Sequence, residues 1–221
     1  MKIMKIRTFK KRLNATELGK AGTNDTYVAI PNEVDLSTMF FNNVAIIVED
    51  RQSGKVYSPP SSNIKYTQTG QNNQERISGL GEYYRLTQAN VGDEIVFERQ
   101  EDSAGNIKYY MDLVHRDVIV LQKGKTYAKI IRKGALNQYS IDDNYCMDVS
   151  YKGEECILKI LFKEAKKKKI SQTATNFYDL VINGRSILSD FAYQDYIEID
   201  FRERQLNRMI TYMEHIMEWR D

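Results

Sequence analysis

Asp148, with Glu164-Ala165-Lys166 at the end of an apolar segment, has the spacing of a D…E-x-K nuclease signature. In that chemistry two carboxylates hold magnesium and a lysine helps to activate water. The acids must stand at adjacent strand ends, which a turn over residues 151–155 would supply. A plainer reading competes with it. E-x-K recurs by chance in a lysine-rich chain, and Lys166–Lys169 reads as a solvated or phosphate-facing patch. Cys146 and Cys156 lack the paired spacing of a zinc or redox site, and His115 and His215 are too scattered to complete one. No metal and no cofactor is therefore expected, and both cysteines read as reduced core residues. Neither a G-x-x-x-x-G-K-[ST] nor a G-x-S-x-G motif occurs.

Two polar stretches point to recognition instead of catalysis. Lys20–Thr26 places Thr23, Asn24, Asp25 and Thr26 after Gly19 and Gly22, in a stretch, Leu13–Pro31, that begins right after the basic run Lys10, Lys11, Arg12. Asn pairs bidentately with adenine, Asp accepts from cytosine, and Thr bonds either base or phosphate. Ile64–Arg76 carries Lys65, Thr67, Gln68, Gln71, Asn72, Asn73, Gln74 and Arg76. Its amides combine donor and acceptor as an adenine edge requires, and Arg76 suits the two acceptors of guanine. Lys10, Lys11, Arg12, Lys20 and Lys65 would hold phosphates. The alternative is a turn-rich strand connection and a solvated hairpin.

A net charge of +2 is low for a nucleic-acid binder, but its distribution is uneven. Lys2, Lys5, Arg7, Lys10, Lys11, Arg12 and Lys20 are met in the opening segment by one acid, Glu17. No apolar run is long enough to span a bilayer and no h-region is present, so the cytoplasm is the default location.

Period-two alternation predicts strands over 1–13, 27–30, 44–49, 55–57, 64–67, 83–87, 94–100 and 108–114, with hairpin turns at Ser53-Gly54 and Gly105-Asn106. Residues 36–41 suit a short helix. Many short strands with polar connections predict a barrel or sandwich. The pattern changes near Gln122–Lys125, which divides the chain into residues 1–124 and a small α+β subdomain, 125–221. Leu206, Met209, Ile210, Met213, Ile216 and Met217 fall at helical spacing, which predicts a terminal amphipathic helix. A helix ending uncapped at Asp221 would suit a fragment of a longer polypeptide.

Three stretches carry a family resemblance: Leu13–Pro31 (LNATELGKAGTNDTYVAIP), Gly81–Thr87 (GEYYRLT) and Val91–Arg99 (VGDEIVFER). They resemble the N-terminal effector domains of EcoRII- and BfiI-type restriction endonucleases, whose DNA-binding pseudobarrel is shared with plant B3 transcription factors. The DNA-recognition domains of McrBC-like restriction systems of LlaJI type are similar. The resemblance implies a mostly β fold: a seven-stranded open barrel with short helices, gripping the major groove of duplex DNA with two arms. The first arm maps onto Lys20–Thr26. The second maps onto Ile64–Arg76, just ahead of the strand that carries Arg85. The resemblance also implies a recognition module, not itself an enzyme, serving a fused or associated GTPase motor or nuclease subunit. Residues 23–26 have no clear counterpart in the endonucleases, so no target sequence carries over.

Overall fold

Alternating apolar and polar residues build most of this chain as strand. The computed structural model describes residues 3–20, 25–68, 74–142, 144–167, 174–209 and 212–220. It separates into two units, residues 1–115 with 211–221 and residues 116–210.

In the first unit, β1 (Ile3–Arg12) turns Phe9 and Lys11 inward, with Leu13 just beyond it, and leaves Lys10 and Arg12 half-buried. Short strands follow: β2 (Tyr27–Ala29), β3 (Val48–Asp50), β4 (Val56–Tyr57), β5 (Lys65–Thr67) and β6 (Arg76–Ser78). β7 (Glu94–Asp102) and β8 (Ile107–Val114) are longer. Gly54 and Gly105 take φ of +69° and +81° in the two expected hairpins, which join β3 to β4 and β7 to β8. One sheet runs in the order C-terminal strand, β1, β7, β8, β3, β4, and a smaller one in the order β2, β6, β5. The Phe40 ring lies 6.0 Å from Tyr66 of the small sheet, 6.1 Å from Phe97 and 5.4 Å from Tyr109 of the large one, so both share one core.

Gly81–Leu86 is helix α1, not the strand expected over 83–87. Gly79 ends β6 at φ +83°, where a Cβ would sit 2.3 Å from the Asn63 carbonyl oxygen. The following turn buries Tyr83 and Tyr84 together, which a strand would send to opposite faces. The helix expected over 36–41 is a single turn, closed by the Phe40 N–H donating to the Leu36 carbonyl at 2.9 Å.

The second unit contains β9 (Val118–Lys123), β10 (Ala128–Arg132), β11 (Ser140–Ile141), β12 (Asn144–Tyr151) and β13 (Glu154–Lys166). β14 (Thr175–Ile182), β15 (Arg185–Ser186), β16 (Tyr196–Asp200) and β17 (Gln205–Arg208) complete it. Seven of these close a barrel in the order β10, β9, β16, β17, β12, β13, β14, with β14 pairing back onto β10. Its interior is filled by Leu121, Tyr145, Met147, Leu158, Ile160, Tyr178, Leu180, Ile197 and Leu206 among others. Closure satisfies the backbone groups that open edges would leave unpaired.

The closed seven-stranded barrel is built from residues 116–210, a region expected to be an α+β subdomain, while the first unit, where an open barrel is expected, holds the six- and three-stranded sheets. In place of an α+β subdomain, the described residues of the second unit hold strands and two 3-10 turns, Leu136–Tyr139 and Leu188–Asp190. β9 belongs to the barrel, so the change of pattern at 122–125 is a turn inside it and not a boundary.

The expected terminal helix is a strand, β18 (Tyr212–Arg220), paired with β1 over nine residues. Arg7 Nε donates to Glu214 Oε1 at 2.9 Å. Without β18 the outer edge of β1 would present a long row of unpaired backbone groups, and satisfying that row outweighs a local helical spacing. Met213, Ile216 and Met217 of the supposed apolar stripe are exposed. With the helix goes the argument that an uncapped terminus marks a fragment. Among the described residues no helix is long and apolar enough to cross a membrane.

The barrel's seam gives a stability prediction. Tyr178 is buried where β14 meets β10 and packs near Tyr145 and Phe162. Tyr178→Ala should cost about 3–5 kcal/mol, measured by urea denaturation. A loss below about 1 kcal/mol would mean that the seam is not a packed part of the barrel.

Candidate nucleic-acid interface

The first polar loop springs from a buried ion pair. Lys11 occupies an inward register position of β1 that an apolar residue would ordinarily take, and its Nζ lies 2.7 Å from Glu17 Oε1 and 2.6 Å from the Ala29 carbonyl oxygen to which it donates. The same Glu17 carboxylate accepts the Ala29 N–H at 2.8 Å and the Asn14 N–H at 3.0 Å. The Tyr27 N–H donates to the Glu17 carbonyl at 3.1 Å. One acid thus joins β1, the turn after it and β2. Lys11 is removed from the phosphate-binding set, because its ammonium is buried and spent on these partners. Lys20, at the foot of the loop, is exposed and reaches the Ala89 carbonyl oxygen at 3.3 Å. Thr23 and Asn24 lie outside the described residues. Asp25 is exposed and Thr26 half-buried.

The second loop also leaves clamped feet. The Tyr66 hydroxyl donates to Glu75, and the Ile30 N–H donates to the Glu75 carbonyl at 2.8 Å. Burial, with the adjacent Glu75 carboxylate, pushes the Tyr66 phenol well above its ordinary pKa, so it remains a donor across the physiological range. The Gln68 N–H donates to Asn42 Oδ1 at 2.7 Å. Gln68 and Gln74 are exposed, Lys65 and Thr67 half-buried, and Gln71, Asn72 and Asn73 lie outside the described residues.

Strand pairing relates the two feet. The first loop ends at Tyr27 beside Ser78, while the second begins and ends at Thr67 and Arg76, beside Ala29. The offset is two residues of β2, roughly 7 Å. Arg76 crosses it: its guanidinium lies 4.4 Å from the Tyr27 ring centroid, with Nη1 3.6 Å from Asp25 Oδ2. Loop composition points to Arg76 and Asp25, but not to Tyr27, Glu17 or Glu75. Glu17 carried a signal in being the lone acid among seven cations.

Other candidates stand elsewhere. Arg12 Nε is 4.0 Å from Glu94 across the β1–β7 pair. Lys10 lies mid-sheet between Val96 and Met213. Arg85 is exposed on α1, not on a strand.

The nuclease constellation is not assembled. Asp148 pairs with Ile157, seven residues along β13 from Glu164, which is roughly 23 Å. One magnesium ion binds its oxygens at about 2 Å and cannot join acids so far apart. Lys166 lies 2.5 Å from Glu164 and serves as its counter-ion. Among the described residues no group of His, Cys, Asp and Glu is arranged to hold a metal. Cys146 and Cys156 are unpaired thiols, both half-buried; Cys156 packs against the barrel core, and burial pushes its thiol up. His115 Nδ1 is 2.9 Å from the buried Asp93 carboxylate.

No family model matches the chain, and no curated protein matches its sequence.

The buried pair is directly testable. Glu17→Gln leaves the Lys11 ammonium without a counter-charge and should cost about 3–5 kcal/mol. The double variant Lys11→Met/Glu17→Leu should recover most of that loss in urea denaturation. Equal losses for the single and double variants would show that the charges are not coupled.

Proposed function

We propose that the first unit binds duplex DNA sequence-specifically through the major groove, as a B3-like recognition module of a restriction system whose motor or nuclease lies outside this chain. The observation that carries the reading is Arg76, at the end of the second polar stretch, stacked on Tyr27 and facing Asp25 at the end of the first. The guanidinium is 43% exposed and its partner carboxylate 63% exposed. An ion pair that open to water stabilises by about 0–1 kcal/mol, so exchanging Asp25 for guanine O6 and N7 costs little. The Tyr27 ring meanwhile holds the guanidinium plane in place. Gln68 and Gln74 offer amides to adenine edges, and Lys20 and Lys65 supply charge for flanking phosphates. The clamped feet limit the entropy lost when the loops settle on DNA.

Titration of variants against selected and scrambled duplexes tests this. Arg76→Ala should lose about 1–3 kcal/mol on the selected site and relax preference at one base pair. Lys20→Ala should weaken binding to both duplexes alike and flatten the slope of log K against log salt by about 0.9. Equal losses on both duplexes for Arg76→Ala would reject base reading, and the lack of salt-dependent binding to any duplex would reject the function.

A further inference from the structure

The barrel carries a second feature that the DNA reading does not use. Along its seam Lys129 of β10 pairs with Phe177 of β14. Their neighbours Ala128 and Tyr178 fill the interior, so Lys129 and Phe177 stand on the outer surface. There they line a depression of about 600 Å³ together with Lys166, Lys167 and Tyr193. This volume is in the range of small-molecule sites. Lys123 also lines it, but its Nζ donates to the Gly124 and Lys125 carbonyls at 2.8 and 3.1 Å, and so fixes the rim.

Charge and shape agree on the ligand. Among the described residues the lining contains lysines and no acid. Glu164 outside the lining neutralises Lys166, whose Nζ lies 5.8 Å from the Phe177 ring centroid. Lys129 and Lys167 supply the remaining positive field. Tyr193 is 61% exposed and presents an apolar ring to water beside these cations. Cations interleaved with exposed rings recognise an anion joined to a flat apolar group, and a phosphate joined to a nucleobase is that combination.

We propose that this depression binds a nucleotide unit, its phosphate held by Lys129 and Lys167 and its base stacked on Tyr193. The unit comes from an unpaired strand or a free nucleotide. A duplex keeps its bases stacked on one another and cannot offer a face to that ring. None of these residues belongs to the loops around Arg76, so either site can fail without the other.

Fluorescence anisotropy with the full chain and a labelled oligothymidylate at low salt tests the site. The wild type should bind. Tyr193→Ala should weaken binding about tenfold while leaving the urea midpoint and duplex binding unchanged, since this ring is on the surface. Lys129→Ala and Lys167→Ala should each flatten the salt slope by about 0.7. Displacement by thymidine monophosphate would identify a free-nucleotide site, and displacement by unlabelled strands alone a nucleic-acid site; both support the proposal. It is overturned if neither the oligonucleotide nor labelled thymidine monophosphate binds, if Tyr193→Ala has no effect, if inorganic phosphate competes as well as the nucleotide, or if Arg76→Ala abolishes strand binding.

Discussion

A lysine and a glutamate buried against each other fix the first unit's geometry. Lys11 and Glu17 are almost wholly withdrawn from water, and each pairs with the other and with the backbone of β2. Two apolar side chains of the same volume would stabilise that position at least as well, because a buried ion pair must offset the desolvation of both charges. What apolar groups lack is direction. The carboxylate reaches its partners only when β1, the turn at Asn14 and β2 stand in one register, so the pair selects a single arrangement. The exit of the first polar loop follows from that arrangement. So does the position of Tyr27, on which Arg76 rests.

The two units manage their strand edges differently. The second closes on itself, and among the described residues its one parallel contact, Ser150 with Gln205, is the pairing that lets antiparallel hairpins complete a ring of seven. The first keeps an open sheet and covers the edge of β1 with the last strand of the chain. Phe40 then ties that sheet to the small one that bears the loops. A rigid base is what a recognition loop needs, since order already present before binding does not have to be created by it.

What could be read from the sequence was local. The hairpins at Gly54 and Gly105 depend on residues within a few positions, and a positive φ there names glycine directly. The helix at Gly81–Leu86 is too short to show a period, and its adjacent tyrosines read as strand. β9 was missed because Val118 to Leu121 are all buried and so do not alternate. β18 was misread because spacings of three and four mimic a helical stripe, while the partner that decides its conformation is some two hundred residues away in sequence. Composition singles out Arg76 and Asp25, which the structure brings into contact. The fate of Lys11 was legible too, since Phe9 and Leu13 are apolar at alternate positions and force the residue between them inward.

The opening run looks like a phosphate-binding arm, yet Lys11 serves Glu17, Arg7 serves Glu214 and Arg12 faces Glu94. Cations on a central strand meet acids from both neighbours, and pairing consumes the charge that composition appears to offer. Cations near loops and seams meet fewer acids. Lys20 reaches neutral oxygens of Ala89 and Asn90, and Lys129 and Lys167 line a surface without carboxylates. The charge that remains for a ligand is therefore decided by strand register, not by sequence density. On that measure the nucleic-acid reading moves from the opening basic run to Arg76 on its tyrosine and to the lysines beside Tyr193.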